Sequence, residues 1–216
     1  MNKKRNVLAV GAHADDVEIG CGGAVAKHIE AGDKVVILIM AESSYTSYDG
    51  AELRSSFEAE QEAKDAAEIL GADLLNLGFE TKNVPYSGES VEAINKVIDD
   101  YSIDVVYTHW YHDTHQDHVR TTQSVISAAR YVKNIYMYEP EYPSGRSYLG
   151  FRNQYYIDVT STFDKKIQSL KKHQSQVAKY GEDSFLNAIR ARAEHRGYEI
   201  QTKYAECFEI LRMMGF

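Results

Sequence analysis

The stretch Asn6–Gly23, NVLAVGAHADDVEIGCGG, decides how the rest of the chain is read. Residues 7–10 form an unbroken apolar run, the mark of a buried strand, and Gly11 ends it. An imidazole and two carboxylates follow at once, His13, Asp15 and Asp16, then Glu18. In an open α/β sheet the carboxyl end of a buried strand is where ligands bind. The stretch therefore reads as the source of two metal ligands and the general base of a metal-dependent hydrolase.

Outward from it, apolar periodicity predicts a helix over 22–31 and a buried strand over 34–41. A polar loop follows over 42–50, at the carboxyl end of that strand and able to border a site. A helix is expected over 51–70, with Ala59, Ala63, Ala66, Ala67 and Leu70 on one face, and a third strand over 73–79. Helical spacing returns over 91–101, and 104–109 is a fourth strand. The connection 110–118 is polar, 119–131 is helical, and 134–139 is a fifth strand. Pro140 and Pro143 mark a break, and 141–152 reads as loop. A late strand over 154–159, helices around 163–170 and 184–194, and a closing strand over 204–211 complete the reading. Strands alternating with helices predict a Rossmann-like three-layer α/β/α sandwich with a mostly parallel sheet. The common order 3-2-1-4-5 makes strands one and four neighbours.

The chain has 216 residues, 44% hydrophobic, enough for one core, so a single domain over 1–216 is expected. The net charge of −8 and the lack of a Lys/Arg cluster disfavour a nucleic-acid partner. Two cysteines point to a reducing compartment. Charges interrupt the N-terminal apolar run too early for a signal peptide, and no stretch reaches the ~20 apolar residues of a membrane span. A cytoplasmic protein is expected, with homo-oligomerisation left open.

A second stretch, His109–Thr122 (HWYHDTHQDHVRTT), packs four histidines and two aspartates into ten residues. Catalytic zinc takes three protein ligands and keeps an open position. The first stretch offers His13 and an aspartate, and the second offers a histidine. A remaining carboxylate is then free to act as base and a remaining histidine to stabilise an oxyanion.

The motif AHADDVEIGCGG resembles the AHPDDxExGCGG signature of the LmbE/PIG-L-like zinc N-deacetylases, and DTHQDHVRT resembles their HxDH signature. LRSSFEAEQEAKDAAEILGA, YIDVTSTFDKKIQSLKKHQSQ and YAECFEILR resemble later segments of the same family. The resemblance implies His13, Asp16 and His118 as zinc ligands, although two nitrogens and a carboxylate also suit Fe2+. It implies Asp15 as general base and His115 as oxyanion stabiliser or acid. Asp117 would orient a neighbouring imidazole, and Arg54 would contact the substrate. It implies a deacetylase of an N-acetylated sugar, such as an N-acetylglucosamine conjugate. One departure is visible: Ala14 stands where the signature has proline.

Other residues read more plainly. Glu18 serves the helix start or orients a neighbour. His112 and Asp113 are expected at the rim, and His28, His195 and Arg120 at the surface. His173 is expected in a structural or rim role, Cys21 in packing and Trp110 in the core. Two other classes remain: a nucleotide-binding oxidoreductase, with Gly20–Gly23 cradling a phosphate, and a metal-holding protein without turnover. Bound-metal analysis against cofactor fluorescence separates the first, and an Asp15 variant of unchanged activity would identify the second.

Overall fold

The computed structural model describes residues 4–141 and 145–214. Seven strands form one sheet: β1 (Asn6–Gly11), β2 (Lys34–Ala41), β5 (Asp73–Phe79), β6 (Val105–Thr108), β7 (Asn134–Tyr138), β8 (Tyr155–Asp158) and β9 (Ala205–Arg212). Their order is β5-β2-β1-β6-β7-β9-β8. The first five are parallel, while β9 runs antiparallel to both β7 and β8. The expected order of the first five strands is thus the observed one.

Alternation along β1 sends Val7 and Ala9 to one face and Leu8 and Val10 to the other. The first face packs on α1 (Asp16–Glu30) and α2 (Ser56–Leu70), the second on α3 (Gly88–Asp100) and α4 (Gln116–Ala128). A third apolar cluster joins α5 (Phe163–Leu170), α6 (Gln174–Tyr180) and α7 (Glu182–Glu199) beside β8 and β9. Helix α2 begins at a capping box, Ser55 with Glu58, and ends on Gly71 in the left-handed region.

Three elements differ from the sequence reading. The segment 42–54 is not simply loop followed by helix: β3 (Tyr45–Thr46) and β4 (Glu52–Arg54) form a small hairpin, and α2 starts only at Ser56. Helix α6 has too few residues to show a period. Helix α1 begins at Asp16, six residues before the expected start, because it is two helices joined at Cys21, whose φ of −148° is not helical. Residues 142–144, with Pro143 of the expected break, lie outside the described residues.

The kink of α1 at Cys21 is bridged by residues from the far end of the chain. The buried carboxylate of Glu206 accepts the amides of Gly23 (2.9 Å) and Ala24 (2.7 Å), the first donors of the second half-helix. Lys166 Nζ, also buried, pairs with Glu206 and donates to the Ile19 carbonyl at the end of the first half (2.8 Å). The glycines permit the approach. A Cβ on Gly23 would stand 2.8 Å from Val159, and one on Gly20 would stand 2.3 Å from the Tyr138 ring. Of the glycines expected to cradle a phosphate, Gly23 thus has its amide already bonded to a carboxylate. Glu206→Ala should leave Lys166 charged without its acid partner and cost about 3–5 kcal/mol in urea unfolding. A loss under about 1 kcal/mol would mean that the α1 break is held by something else.

Candidate metal centre

The parallel pair β1 and β6 lies at the switch point, where the chain turns from one side of the sheet to the other. Loop 12–15 leaves β1 and loop 109–115 leaves β6, so the two His/Asp stretches meet. His13 lies in the first loop, Asp16 in the first turn of α1, His118 in the first turn of α4, and His115 caps α4. Two groups of ligand atoms, each within 4.8 Å, overlap at His118: His13, His115 and His118; and Asp16, His109 and His118.

Hydrogen bonds show which nitrogens are free. His13 Nε2 bonds Asp117 Oδ2 at 2.8 Å, leaving Nδ1 3.4 Å from Asp16 Oδ2. His118 Nδ1 bonds Asp113 Oδ2 at 2.9 Å, leaving Nε2 3.5 Å from Asp16 Oδ1. Each ring thus turns its second nitrogen toward Asp16 and is backed by a carboxylate, the pattern that orients metal-binding imidazoles. His109 Nε2 accepts the Ala12 amide at 2.9 Å, so its lone pair is already used. Its ring stacks on His118, with centroids 3.9 Å apart.

The charges favour a cation here. Burial opposes a charge on His13, but the Asp117 and Asp16 carboxylates outweigh it and raise its pKa to about 10. Asp16 is held well below the carboxylate range, against its burial, by His118 and His109. Two free nitrogens and an ionised carboxylate fit a divalent metal such as Zn2+ or Fe2+.

Asp15 sits between His13 and Asp16 in sequence with φ +118°, a left-handed geometry that costs about 1–3 kcal/mol outside glycine. Burial, then the neighbouring Asp16 charge, raise its pKa to about 6. His115 Nδ1 accepts the Asp117 amide at 3.3 Å. Burial and the nearby His118 lower its pKa to about 4, so it is neutral with Nε2–H as donor. Asp15, His115 and Arg54 line a cavity of about 520 Å³ together with Tyr138 and Tyr45.

The second loop hides more than its sequence indicates. Asp113, expected at the rim, is buried and holds both His118 Nδ1 and the His115 amide (2.8 Å). Asp117 is buried too, bonding the amides of Lys82 (2.7 Å) and Val84 (3.2 Å), and the imidazole it orients is that of His13. His28 is not a free surface group: it bonds Asp33 and the Tyr107 hydroxyl. His173 is fully buried with Nε2 3.5 Å from Glu18. His195 and Arg120 are exposed, and Trp110 is core, donating to Glu209 at 3.0 Å. His109 went unselected, though its place at the end of β6 marks it.

Ala14 has a structural counterpart. Its amide, which proline would lack, donates to Ser43 Oγ at 3.0 Å. Ser43 Oγ donates to the Ala41 carbonyl, and the Ser43 carbonyl accepts Arg54 Nε at 2.9 Å. Buried Ser43, at φ +62°, thus ties the first motif to Arg54.

The family model described as PIG-L: GlcNAc-PI de-N-acetylase matches residues 8–129, more than half of the chain. An uncharacterized deacetylase of Escherichia coli, YaiS, is 31% identical over 182 residues, 81% of this chain and 93% of its own. The N,N'-diacetylchitobiose deacetylase of Pyrococcus horikoshii superposes with a TM-score of 0.81 at 22% identity, covering 96% of this chain and 84% of its own. GalB of Pseudomonas putida, a 4-carboxy-2-hydroxymuconate hydratase, also superposes at 0.81, with 19% identity and 98% coverage of both chains.

Two outcomes are expected. Asp113→Asn and Asp117→Asn should each weaken metal binding by about 10–100-fold in competition with a chelator dye, and unchanged affinity in both would deny them an orienting role. Ser43→Ala should destabilise by about 1–3 kcal/mol, because it orphans a buried amide. The penalty should shrink in an Ala14→Pro background, and a penalty of full size there would show that Ser43 acts through another contact.

Proposed function

The chain belongs to the PIG-L family of de-N-acetylases, and from that premise we propose that it is a divalent-metal-dependent deacetylase of an N-acetylated amino sugar or glycoconjugate, carried on one domain. Its metal ligands are His13 through Nδ1, His118 through Nε2, and Asp16, with zinc the first candidate. The observation that carries this reading is the pair of free imidazole nitrogens facing Asp16, each backed by its own carboxylate. The fold alone would not suffice, since GalB shares it and is a hydratase. The diacetylchitobiose deacetylase among the neighbours supports a sugar acetamide as substrate.

A divalent cation, when bound, supplies Lewis-acid polarisation of the acetamide carbonyl and acidifies water. Asp15, in the cavity wall and ionised above about pH 6, takes the proton of the attacking water. Neutral His115 donates its Nε2–H to the carbonyl oxygen as negative charge develops there. Collapse of the tetrahedral carbon breaks the C–N bond. The amine leaves with the proton that Asp15 took from water, and acetate remains. Asp113 and Asp117 keep the two ligating rings aimed, and Arg54 holds the rest of the sugar. Among the described residues no helix is long and apolar enough to cross a membrane, so a substrate reached from the aqueous phase fits this reading.

The test is acetate release from N-acetylated sugars with metal content measured alongside. Asp15→Asn should keep its metal and lose about 10²–10⁴ in kcat. Asp16→Asn should lose metal first and recover in part with added zinc, and the opposite pattern of rescue would reverse the two roles. The wild-type kcat/KM should fall as pH drops through about 6, because Asp15 then takes up a proton and ceases to be a base. A flat profile down to pH 4.5 would remove Asp15 as the titrating group.

A further inference from the structure

The outer half of the cavity carries a charge that deacetylation does not require. Tyr45 and Arg54 are register partners across the β3–β4 hairpin, so their side chains share a face. Around the Tyr45 ring gather two lysines, with Lys179 Nζ 4.1 Å and Lys82 Nζ 5.6 Å from its centroid. Lys179 also lies 4.9 Å from the Tyr180 ring. All of these residues line the cavity.

The acids of the same wall are already committed. Glu139 pairs with Arg196, Glu141 with Arg192, and Asp113 with His118. Asp15 and Asp16 belong to the metal end. The three cations are differently placed. Arg54 is only 5% exposed, and its Nη1 is buried with no hydrogen-bond partner. Its ion-pair partner, Glu62 Oε2, is 3.6 Å away, beyond hydrogen-bond length, and accepts the Ser175 hydroxyl. Lys82 and Lys179 make cation–π contacts, which leave the ammonium protons free to bond a ligand. A buried guanidinium donor without a partner is costly unless a ligand satisfies it. In a chain of net charge −8, two lysines on one ring with an arginine beside it on the same hairpin face form a local exception.

We propose that the substrate is an acetamido sugar bearing an anionic group, phosphate or carboxylate, which Arg54, Lys82 and Lys179 bind around Tyr45 while the acetamide faces the metal end. This rests on the deacetylase reading and adds to it. Arg54 supplies a planar donor to the anion from inside the wall, and the two lysines supply mobile charge from the rim.

The test uses the metal-loaded full chain and three matched substrates: methyl N-acetylglucosaminide, N-acetylglucosamine 1-phosphate, and the carboxymethyl glycoside of N-acetylglucosamine. One or both anions should exceed the neutral glycoside in kcat/KM by about tenfold or more, and their ranking separates phosphate from carboxylate. The anionic-to-neutral ratio should fall toward one in Lys82→Gln and Lys179→Gln, which are exposed and should fold normally, and in Arg54→Gln. Raised salt should lower it as well. Equal kcat/KM for all three, or a ratio untouched by the three variants, would overturn the proposal. If none is deacetylated, calorimetry with glucosamine 1-phosphate, the carboxymethyl glycoside of glucosamine and methyl glucosaminide decides separately. Tighter binding of either anion that weakens in the variants would uphold the anion site while the deacetylase reading fails. Binding without such a preference would end both.

Discussion

A single carboxylate, Glu206 on the antiparallel strand β9, holds the first helix together at its break. Helix α1 begins beside the His/Asp cluster and also packs along the sheet, with a kink at Cys21 between the two parts. The kink frees backbone donors and acceptors in the core, where each unpaired group is costly. Glu206 and Lys166 satisfy both sides of the break. The closing strand and α5, late in the chain, are therefore as necessary to the position of Asp16 as the motif that contains it.

The site itself follows from strand order. Residues 13–16 and 109–118 come together because β1 and β6 are neighbours at the switch point of the sheet. Selection among the histidines is then made by hydrogen bonds, not by proximity. Three rings crowd around His118, at centroid distances from 3.9 to 5.4 Å. His13 and His118 turn one nitrogen to Asp16 and bond a carboxylate with the other. His109 spends its nitrogen on the Ala12 amide and His115 on that of Asp117. Four histidines in similar positions thereby acquire different roles.

A deacetylase and a hydratase share this fold, so the sheet is a platform that positions loop ends and leaves the reaction to the side chains placed there. Here the wall opposite the metal end is formed by a two-strand hairpin and a seven-residue helix, small elements set on the main sandwich. They bring Tyr45, Arg54 and Lys179 to the cavity without altering the sheet.

The sequence alone determined the sandwich, the order of its first five strands and the two stretches that meet, because buried parallel strands leave unbroken apolar runs and helices leave a 3.6-residue period. The residues themselves offered His13, an aspartate of the first stretch and a histidine of the second. The particular set Asp15, Asp16, His13, His115, Asp117 and His118 is what the resemblance to the LmbE/PIG-L signatures implies. What only tertiary structure decided are relations between residues distant in sequence. Asp113 looked like a rim residue until its carboxylate was found behind His118. The start of α1 was hidden because Asp16 and the glycines at 20, 22 and 23 have poor helix propensity, and its break is closed by a residue more than 180 positions away. The exchange at Ala14 gained a meaning only once its amide reached Ser43. The unbonded Nη1 of Arg54 was invisible for the same reason: whether a buried donor finds an acceptor depends on its surroundings, and those are set by packing.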